Sequence, residues 1–379
     1  MVDPPSRPLH VLHLLTRLEG GGISRYTLDL ARGLRAAGHT VTIAGGPGDW
    51  QSRFEGEPWQ TIVVPMTGGP VALWRRAGQI ERALARERLD LVHAHHRRAS
   101  LVGRRLARRR GVPLLFSLHM PMIPMGLPWR WLSDFGDHAL TASPEAQQWL
   151  SDTAGMPSER ITMIPHGVDP QRFPQASEAD RLAARQRLGL PAHAPVAGFV
   201  GRLEAPKNPS WVLDVAEAAR DQLPTLRVVM MGGGGEAHAL GKRIAQRGLD
   251  ACVRLLPPGE PRVVYEACDL LLVPSAVEGF ALVGAEAMSV GRPVLRTRTG
   301  GWQAQISADR TGRAVAVDRE AFVAAALALL ADRSALRRMG ETAAQHARAN
   351  LTFEDQLAQT VALYARLVGD NAAGGGLVA

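Results

Sequence analysis

Lysine is almost missing from this chain. Of its 44 basic residues only Lys207 and Lys242 are lysines; the rest are arginine, and against 36 acidic residues they leave a formal net charge of +8. A coding bias toward arginine is the simplest source of this imbalance. A lysine kept inside a motif then marks a place where a compact ammonium serves better than a guanidinium. Cysteine is as scarce. Two residues, Cys252 and Cys268, exclude a disulfide framework and a cysteine metal quartet. No apolar run approaches the roughly 20 residues of a membrane span. The opening MVDPPSRPLH lacks the charged-then-apolar pattern of a secretory signal. A cytoplasmic protein is the expectation. Basic residues interleaved with aromatics are also missing, and no nucleic-acid reader module is legible, so no nucleic-acid partner is expected.

What is present is alternation. At 379 residues the chain exceeds one ordinary core, which predicts two domains. Apolar runs near 9–15, 40–44, 61–64, 91–95, 114–119, 140–143 and 161–165 read as strands. Helical spacing between them is clear at 24–37, 73–88 and 99–110. The loop Glu19-Gly20-Gly21-Gly22 between first strand and first helix can bring backbone amides to a phosphate, or can be a plain tight turn. His93, His95 and His96 invite a zinc reading. They are expected to alternate faces of one strand end with no nearby acid, so structural hydrogen bonding is expected there and no metal. The segment 120–131, MPMIPMGLPWRW, is an adaptable apolar loop that either folds on its own domain or meets an acceptor or a membrane. The arginines at 97, 98, 104, 105 and 108–110 read as a solvated face that also suits an anionic membrane surface. The polar stretch 170–183 is the best linker candidate.

The alternation restarts with strands at 196–200, 226–231, 253–256, 270–273 and 293–297. Arg202 and Lys207, five residues apart after the 196–200 strand, form an anion clamp in which arginine grips bidentately and lysine acts as a point charge. After the 270–273 strand comes Glu278-Gly279-Phe280, then a helix over about 281–290 that turns its N-terminus toward that loop. Gly291 stops this helix. Ligands of open α/β sheets bind at this strand edge. Helical patterns at about 320–331, 334–349 and 353–368 finish the chain, followed by a Gly/Ala-rich stretch, 370–379, expected to be a flexible tail.

The core E-G-F-x-L-x-x-x-E-A-M (Glu278 to Met288), the G-x-P-V at Gly291 to Val294 and the pair Gly300-Gly301 resemble the retaining glycosyltransferases of family 4. Gly201 to Asn208 resembles that family's G-R-L-x-x-x-K-N signature, His166 to Asp169 its H-G-V-D, and Pro113 to His119 a strand ending on a histidine. The resemblance covers about residues 9–368. It implies the GT-B fold: two Rossmann-like, doubly wound α/β domains facing across a cleft, with residues 1–175 on the acceptor side and 176–352 on the donor side. The last helix, about 353–368, would pack back onto the first domain.

Function follows from the same resemblance. The implied reaction moves a sugar from a nucleotide-diphosphate sugar, UDP- or GDP-linked, to a glycan, lipid-linked glycan or small-molecule acceptor, with retention and without a metal or other cofactor. No Asp-x-Asp triplet occurs to support the metal-dependent arrangement of the other main glycosyltransferase fold. The implied reaction centre is His119, Arg202, Lys207 and Glu278. His119 would hydrogen-bond the transferred sugar, the two cations would neutralise the departing diphosphate, and Glu286 would bind the ribose. Gly21, Gly22, Gly201, Gly279, Phe280, Ala281, Leu282 and Val283 would complete the donor site. Two departures stand out: Ser24 and Ala304 occupy positions where the family commonly has an acid. A sugar-nucleotide epimerase or phosphorylase of the same fold, or a silent nucleotide-sugar-binding protein, are the alternatives. Docking at the inner face of the membrane is compatible with the arginine cluster.

Overall fold

In the computed structural model, which describes residues 7–127, 129–307 and 309–373, the chain forms two compact units. The first takes Met1–Ile164 and Gln356–Ala379, the second Pro165–Asp355. Pro128, inside the 120–131 loop, and residues 374–379 of the expected tail lie outside the described residues.

Unit 1 is built on seven strands: β1 (His10–Arg17), β2 (Thr40–Gly46), β3 (Gln60–Val63), β4 (Leu91–Ala94), β5 (Leu114–Leu118), β6 (His138–Thr141) and β7 (Ile161–Met163). They pair in parallel in the order β3-β2-β1-β4-β5-β6-β7. Both faces are covered, so the strands read as continuous apolar runs whose alternate residues enter different cores. On β1, Leu12 and Leu14 join one core while Val11 and Leu15 join the other. That second core also receives Leu363, Tyr364 and Leu367 of the last helix, Phe353–Ala373. Residues 370–373, expected as tail, are helical.

Unit 2 repeats the plan with β8 (Val196–Val200), β9 (Arg227–Met231), β10 (Val253–Leu256), β11 (Leu270–Val273), β12 (Val294–Thr297) and β13 (Gly312–Val315). All pairs are parallel, in the order β10-β9-β8-β11-β12-β13. Gly198 in the middle of β8 is explained by a close approach: a Cβ there would lie 3.0 Å from the Cβ of Cys268. Burial pushes the Cys268 thiol up to about 12, so it packs as a small apolar group rather than reacting.

The stretch 170–183 is not a plain linker. Ser177 and Asp180 form a reciprocal capping box that starts the helix Glu178–Arg187. From that helix Arg185, 1% exposed, donates to both carboxylate oxygens of Asp269 at 2.9 Å and to the carbonyls of Ala194 (2.8 Å) and Ala267 (2.9 Å). Asp269 also accepts from the Val196 N–H that opens β8. A polar-looking segment is thus tied beneath the sheet by one buried ion pair.

Removing one partner of such a pair strands the other charge, an effect of about 3–5 kcal/mol. Asp269→Ala is expected to lower the urea midpoint of unit 2 by a corresponding amount; an unchanged midpoint would contradict the role given to this pair.

Candidate active site

In each sheet the strand order reverses once, between β1 and β4 in unit 1 and between β8 and β11 in unit 2. At such a point the two flanking crossovers run to opposite faces and leave an opening at the carboxyl ends of the strands. The sequence-predicted residues fall on these edges. Gly21 and Gly22 follow β1, His119 follows β5 beside β4, Gly201 to Lys207 follow β8, and Glu278 follows β11.

In unit 2 the two loops meet through Lys207 and Glu278, whose Nζ and Oε1 lie 2.5 Å apart. Glu278 is 7% exposed and also accepts from the Ser275 hydroxyl at 2.7 Å. An ammonium has three donors, and the carboxylate engages one of them. Asn208 pins the lysine loop by donating to the Pro274 carbonyl at 2.9 Å. Arg202 stands outside this pair. Its guanidinium is hydrogen-bonded to Glu204 at 2.7 Å with 59% of the side chain exposed.

The Glu278 loop is shaped by backbone strain. Three non-glycine residues among those described have positive φ: Asn208 (45°), Ala281 (59°) and Asp309 (57°). Asn208 and Ala281 end the two loops that carry Lys207 and Glu278. Asparagine tolerates the left-handed region, whereas alanine held there costs about 1–2 kcal/mol. Two buried side chains hold it. Gln305 donates to the carbonyls of Phe280 (2.7 Å) and Ala281 (3.0 Å), and Arg296 bonds Gln305 at 2.6 Å and the Phe280 carbonyl at 3.2 Å. Gln305 therefore braces the loop, a part that sequence reasoning did not assign to it. Ala304 contributes its carbonyl to His346 at 2.7 Å. The Gly300-Gly301 pair is required by contact: a Cβ on Gly300 would lie 2.4 Å from the Glu278 carbonyl, and one on Gly301 2.9 Å from the Phe280 ring.

After Ala281 the helix Leu282–Ser289 begins, with Leu282 and Val283 in its first turn. Glu286, one turn further, accepts from the Tyr265 hydroxyl at 2.6 Å. Burial, reinforced by that carboxylate, pushes the tyrosine well above its usual range and keeps it a donor. Gly201 faces the glycine-rich turn after β9, where a Cβ on Gly232 would lie 1.8 Å from the Gly201 carbonyl. Gly234 likewise lies against the Leu203 carbonyl, so Gly232 and Gly234 serve close packing of two backbones, while Gly235 has nothing within 4 Å of an added Cβ.

In unit 1, Gly21 and Gly22 border open space, with nothing within 4 Å of an added Cβ. The histidines are hydrogen-bonded, and the cluster extends beyond one strand end. His93 and His95 share one face of the sheet, and neighbouring strands add His13 and His119. The Nδ1 of His13 lies 2.9 Å from Nε2 of His95, whose Nδ1 lies 3.1 Å from Nε2 of His119. His93 bonds the Tyr364 hydroxyl and the Ser117 hydroxyl, each at 2.7 Å. Tyr26 packs edge-on against His119, ring centroids 5.0 Å apart. Sequence spacing could reveal His93 and His95 together; only strand order could add His13 and His119. Nitrogens of His13, His93 and His95 lie within 4.8 Å of one another, the geometry of a candidate metal cluster. No carboxylate belongs to that group, and five of its six ring nitrogens already have hydrogen-bond partners in the contacts just given, all but His13 Nε2.

The arginine run is mostly engaged. Arg104 pairs with Asp134 and Asp137, Arg109 with Glu81, Arg110 caps three carbonyls, and Arg105 stacks on Trp74 at 3.4 Å. Arg98 and Arg108 remain exposed. The segment 120–131, expected as loop, ends in the short helix Trp129–Leu132; along it Met122 (63%), Leu127 (77%) and Trp131 (81%) face solvent. Among the described residues no helix is long and apolar enough to cross a membrane.

Comparison with known proteins converges on this geometry. The family model of glycosyltransferase family 4 matches residues 20–172, and that of glycosyl transferases group 1 matches residues 180–346. The D-inositol 3-phosphate glycosyltransferase of Corynebacterium urealyticum is 30% identical over 370 residues, spanning 90% of this chain and 82% of that protein. Its counterpart in Nocardia farcinica is 34% identical over 286 residues, 68% of this chain and 62% of that protein. Among solved structures, Anabaena HepE in complex with UDP and glucose superposes with a TM-score of 0.80 at 20% identity, over 92% of this chain and 97% of that one. Sucrose-phosphate synthase of Thermosynechococcus elongatus gives 0.79 at 22% identity, over 95% and 99%. The likeness identifies the fold as two-domain α/β GT-B.

The buried histidines carry a pH signature. Burial lowers His13 to about 3 and holds His93 and His95 well below their usual value. The unfolded chain, with histidines near 6.5, binds protons that the folded one refuses, so this contribution to stability is intact above pH 6.5 and is lost as pH falls below it. Each histidine adds about 1.4 kcal/mol per pH unit to the slope. Unfolding free energy is expected to drop steeply from pH 6.5 to 5; a flat profile there would contradict the neutral cluster.

Proposed function

The chain belongs to glycosyltransferase family 4, and from that premise we propose that it is a retaining, metal-independent hexosyltransferase using a nucleotide-diphosphate sugar. The carrying observation is the Lys207–Glu278 pair at 2.5 Å, set on the carboxyl ends of the two strands where the sheet order reverses. It puts a point cation and a buried carboxylate beside the N-terminus of the helix Leu282–Ser289. Such a site suits a diphosphate joined to a hydroxylated ring.

In this reading Lys207 binds the donor's diphosphate and stabilises its charge as the bond to the anomeric carbon breaks. Arg202 swings from Glu204 to assist. Glu278 and the amides of Gly279 to Val283 hold the sugar hydroxyls and phosphate, and Glu286 binds the ribose. Gly21, Gly22 and Gly201 let backbone approach the donor. His119 hydrogen-bonds the transferred sugar. The acceptor hydroxyl attacks from the face that the diphosphate leaves, which retains configuration. HepE, bound to UDP and glucose, supports a UDP-sugar as the first donor to try. The relatives' shared name supports inositol 3-phosphate as the first small acceptor, ahead of glycans and lipid-linked glycans.

UDP, GDP and ADP should separate by thermal stabilisation of the purified protein, one nucleotide raising the melting temperature without added divalent cation. Lys207→Ala and Glu278→Ala should each lower release of nucleoside diphosphate by roughly 10²–10³-fold, the scale of losing one electrostatic contact to a developing charge. Unchanged turnover in either variant sinks the assignment.

Peripheral docking on an anionic membrane would use exposed Arg98 and Arg108 with Met122, Leu127 and Trp131. Vesicles containing phosphatidylglycerol should then sediment the protein at low salt and release it at high salt, while phosphatidylcholine vesicles should not. Equal behaviour with both lipids removes this proposal.

A further inference from the structure

The chain His13–His95–His119 has a direction. His95 is wholly enclosed, and burial among other histidines keeps it neutral. A neutral imidazole carries one N–H and one lone pair. Its two ring nitrogens face His13 Nδ1 at 2.9 Å and His119 Nε2 at 3.1 Å. His95 must therefore donate to one neighbour and accept from the other, and only two proton arrangements satisfy both bonds.

In one, His119 Nε2–H donates to His95, His95 Nε2–H donates to His13, and the His13 proton sits on Nε2. That nitrogen is buried and has no hydrogen-bond partner among the described residues. In the other, His13 Nδ1–H donates to His95, His95 Nδ1–H donates to His119 Nε2, and His13 Nε2 is left as a bare lone pair. A buried N–H without an acceptor is the rarer and costlier defect. The second arrangement wins.

The rings that flank the chain fix its geometry. His93 lies 4.1 Å from His95 between centroids and is locked by Tyr364 and Ser117. Tyr26, whose hydroxyl bonds Ser117 and Gln356, presses its edge on both His95 and His119. None of these rings can turn without breaking a buried hydrogen bond.

We infer that His13 and His95 are positioning residues that fix neutral His119 with its proton on Nδ1 and its Nε2 occupied as an acceptor. His119 then offers a hydrogen-bond donor, and not a base, to whatever lies at its Nδ1. This deepens the proposed function, in which that partner is the transferred sugar, and it rests on that reading for its kinetic consequence only.

The test reads the proton directly. Two-bond ¹H–¹⁵N spectra of ¹⁵N-histidine-labelled protein at about pH 8, where ordinary histidines are neutral, should show His119 Nδ1 protonated and Nε2 bare. His119→Ala assigns the signal. In His95→Phe, which keeps an aromatic ring and deletes the chain, the His119 proton should move to Nε2, the tautomer a free imidazole prefers, and kcat should fall roughly tenfold with little change in KM. In His95→Gln, whose amide can donate to His119 and accept from His13, both the Nδ1 proton and most of the turnover should return. A proton on Nε2 in the unmodified protein overturns the inference even if the variants fail to fold, as does identical behaviour of the Phe and Gln variants. If the proton moves as stated while His119→Ala and His95→Phe keep full turnover, the tautomer assignment stands and the proposed role of His119 in transfer falls.

Discussion

Parallel pairing is the constraint on which the rest depends. A strand that runs parallel to its neighbour must be reached by a crossover, so every loop that follows a strand emerges at the same edge of the sheet. Both sheets are parallel throughout their described pairs. The residues after β8 and β11 are 71 positions apart in the chain at Lys207 and Glu278, yet they form an ion pair because those strands are neighbours. The same rule gathers His13, His95 and His119 from three adjacent strands.

The second theme is polarity placed under apolar cover. Arg296 is fully buried, and it bonds Gln305 and the carbonyls of Phe280 and Gly300. Beneath the loop it acts as scaffolding, its charge satisfied by carbonyl dipoles. The left-handed Ala281 persists because this scaffold holds the carbonyls on either side of it. In unit 1 the histidine cluster plays a comparable part, with each ring set by another. In both places the surface residue that would meet a ligand is held by groups that would never touch it.

The arginine-rich composition acquires a different meaning once partners are visible. Arg185, Arg104 and Arg110 look like surface charge in a string of letters, but Arg185 and Arg110 tie distant backbone together through several donors and Arg104 joins the carboxylates of Asp134 and Asp137. A guanidinium with five donors suits that work. Lysine does not, and Lys207 is kept where a single compact charge must meet a carboxylate.

The sequence by itself determined the alternation of strands and helices, because runs such as Leu270–Val273 must be buried on both faces and glycines such as Gly291 must end helices. It also determined the loops that carry Glu278 and Lys207, since local spacing alone places an acid or a cation at a strand end. It did not reveal the helix Glu178–Arg187 in a stretch that reads as linker, because two of its three buried residues are arginines, and the partner of Arg185, Asp269, is far away in the chain. Nor could it show that Arg202 turns to Glu204, that Gln305 braces Phe280 and Ala281, or that four histidines share one face. Those were decided by tertiary structure alone: periodicity reports which residues are buried, while strand order and long-range hydrogen bonds decide what each one is buried against.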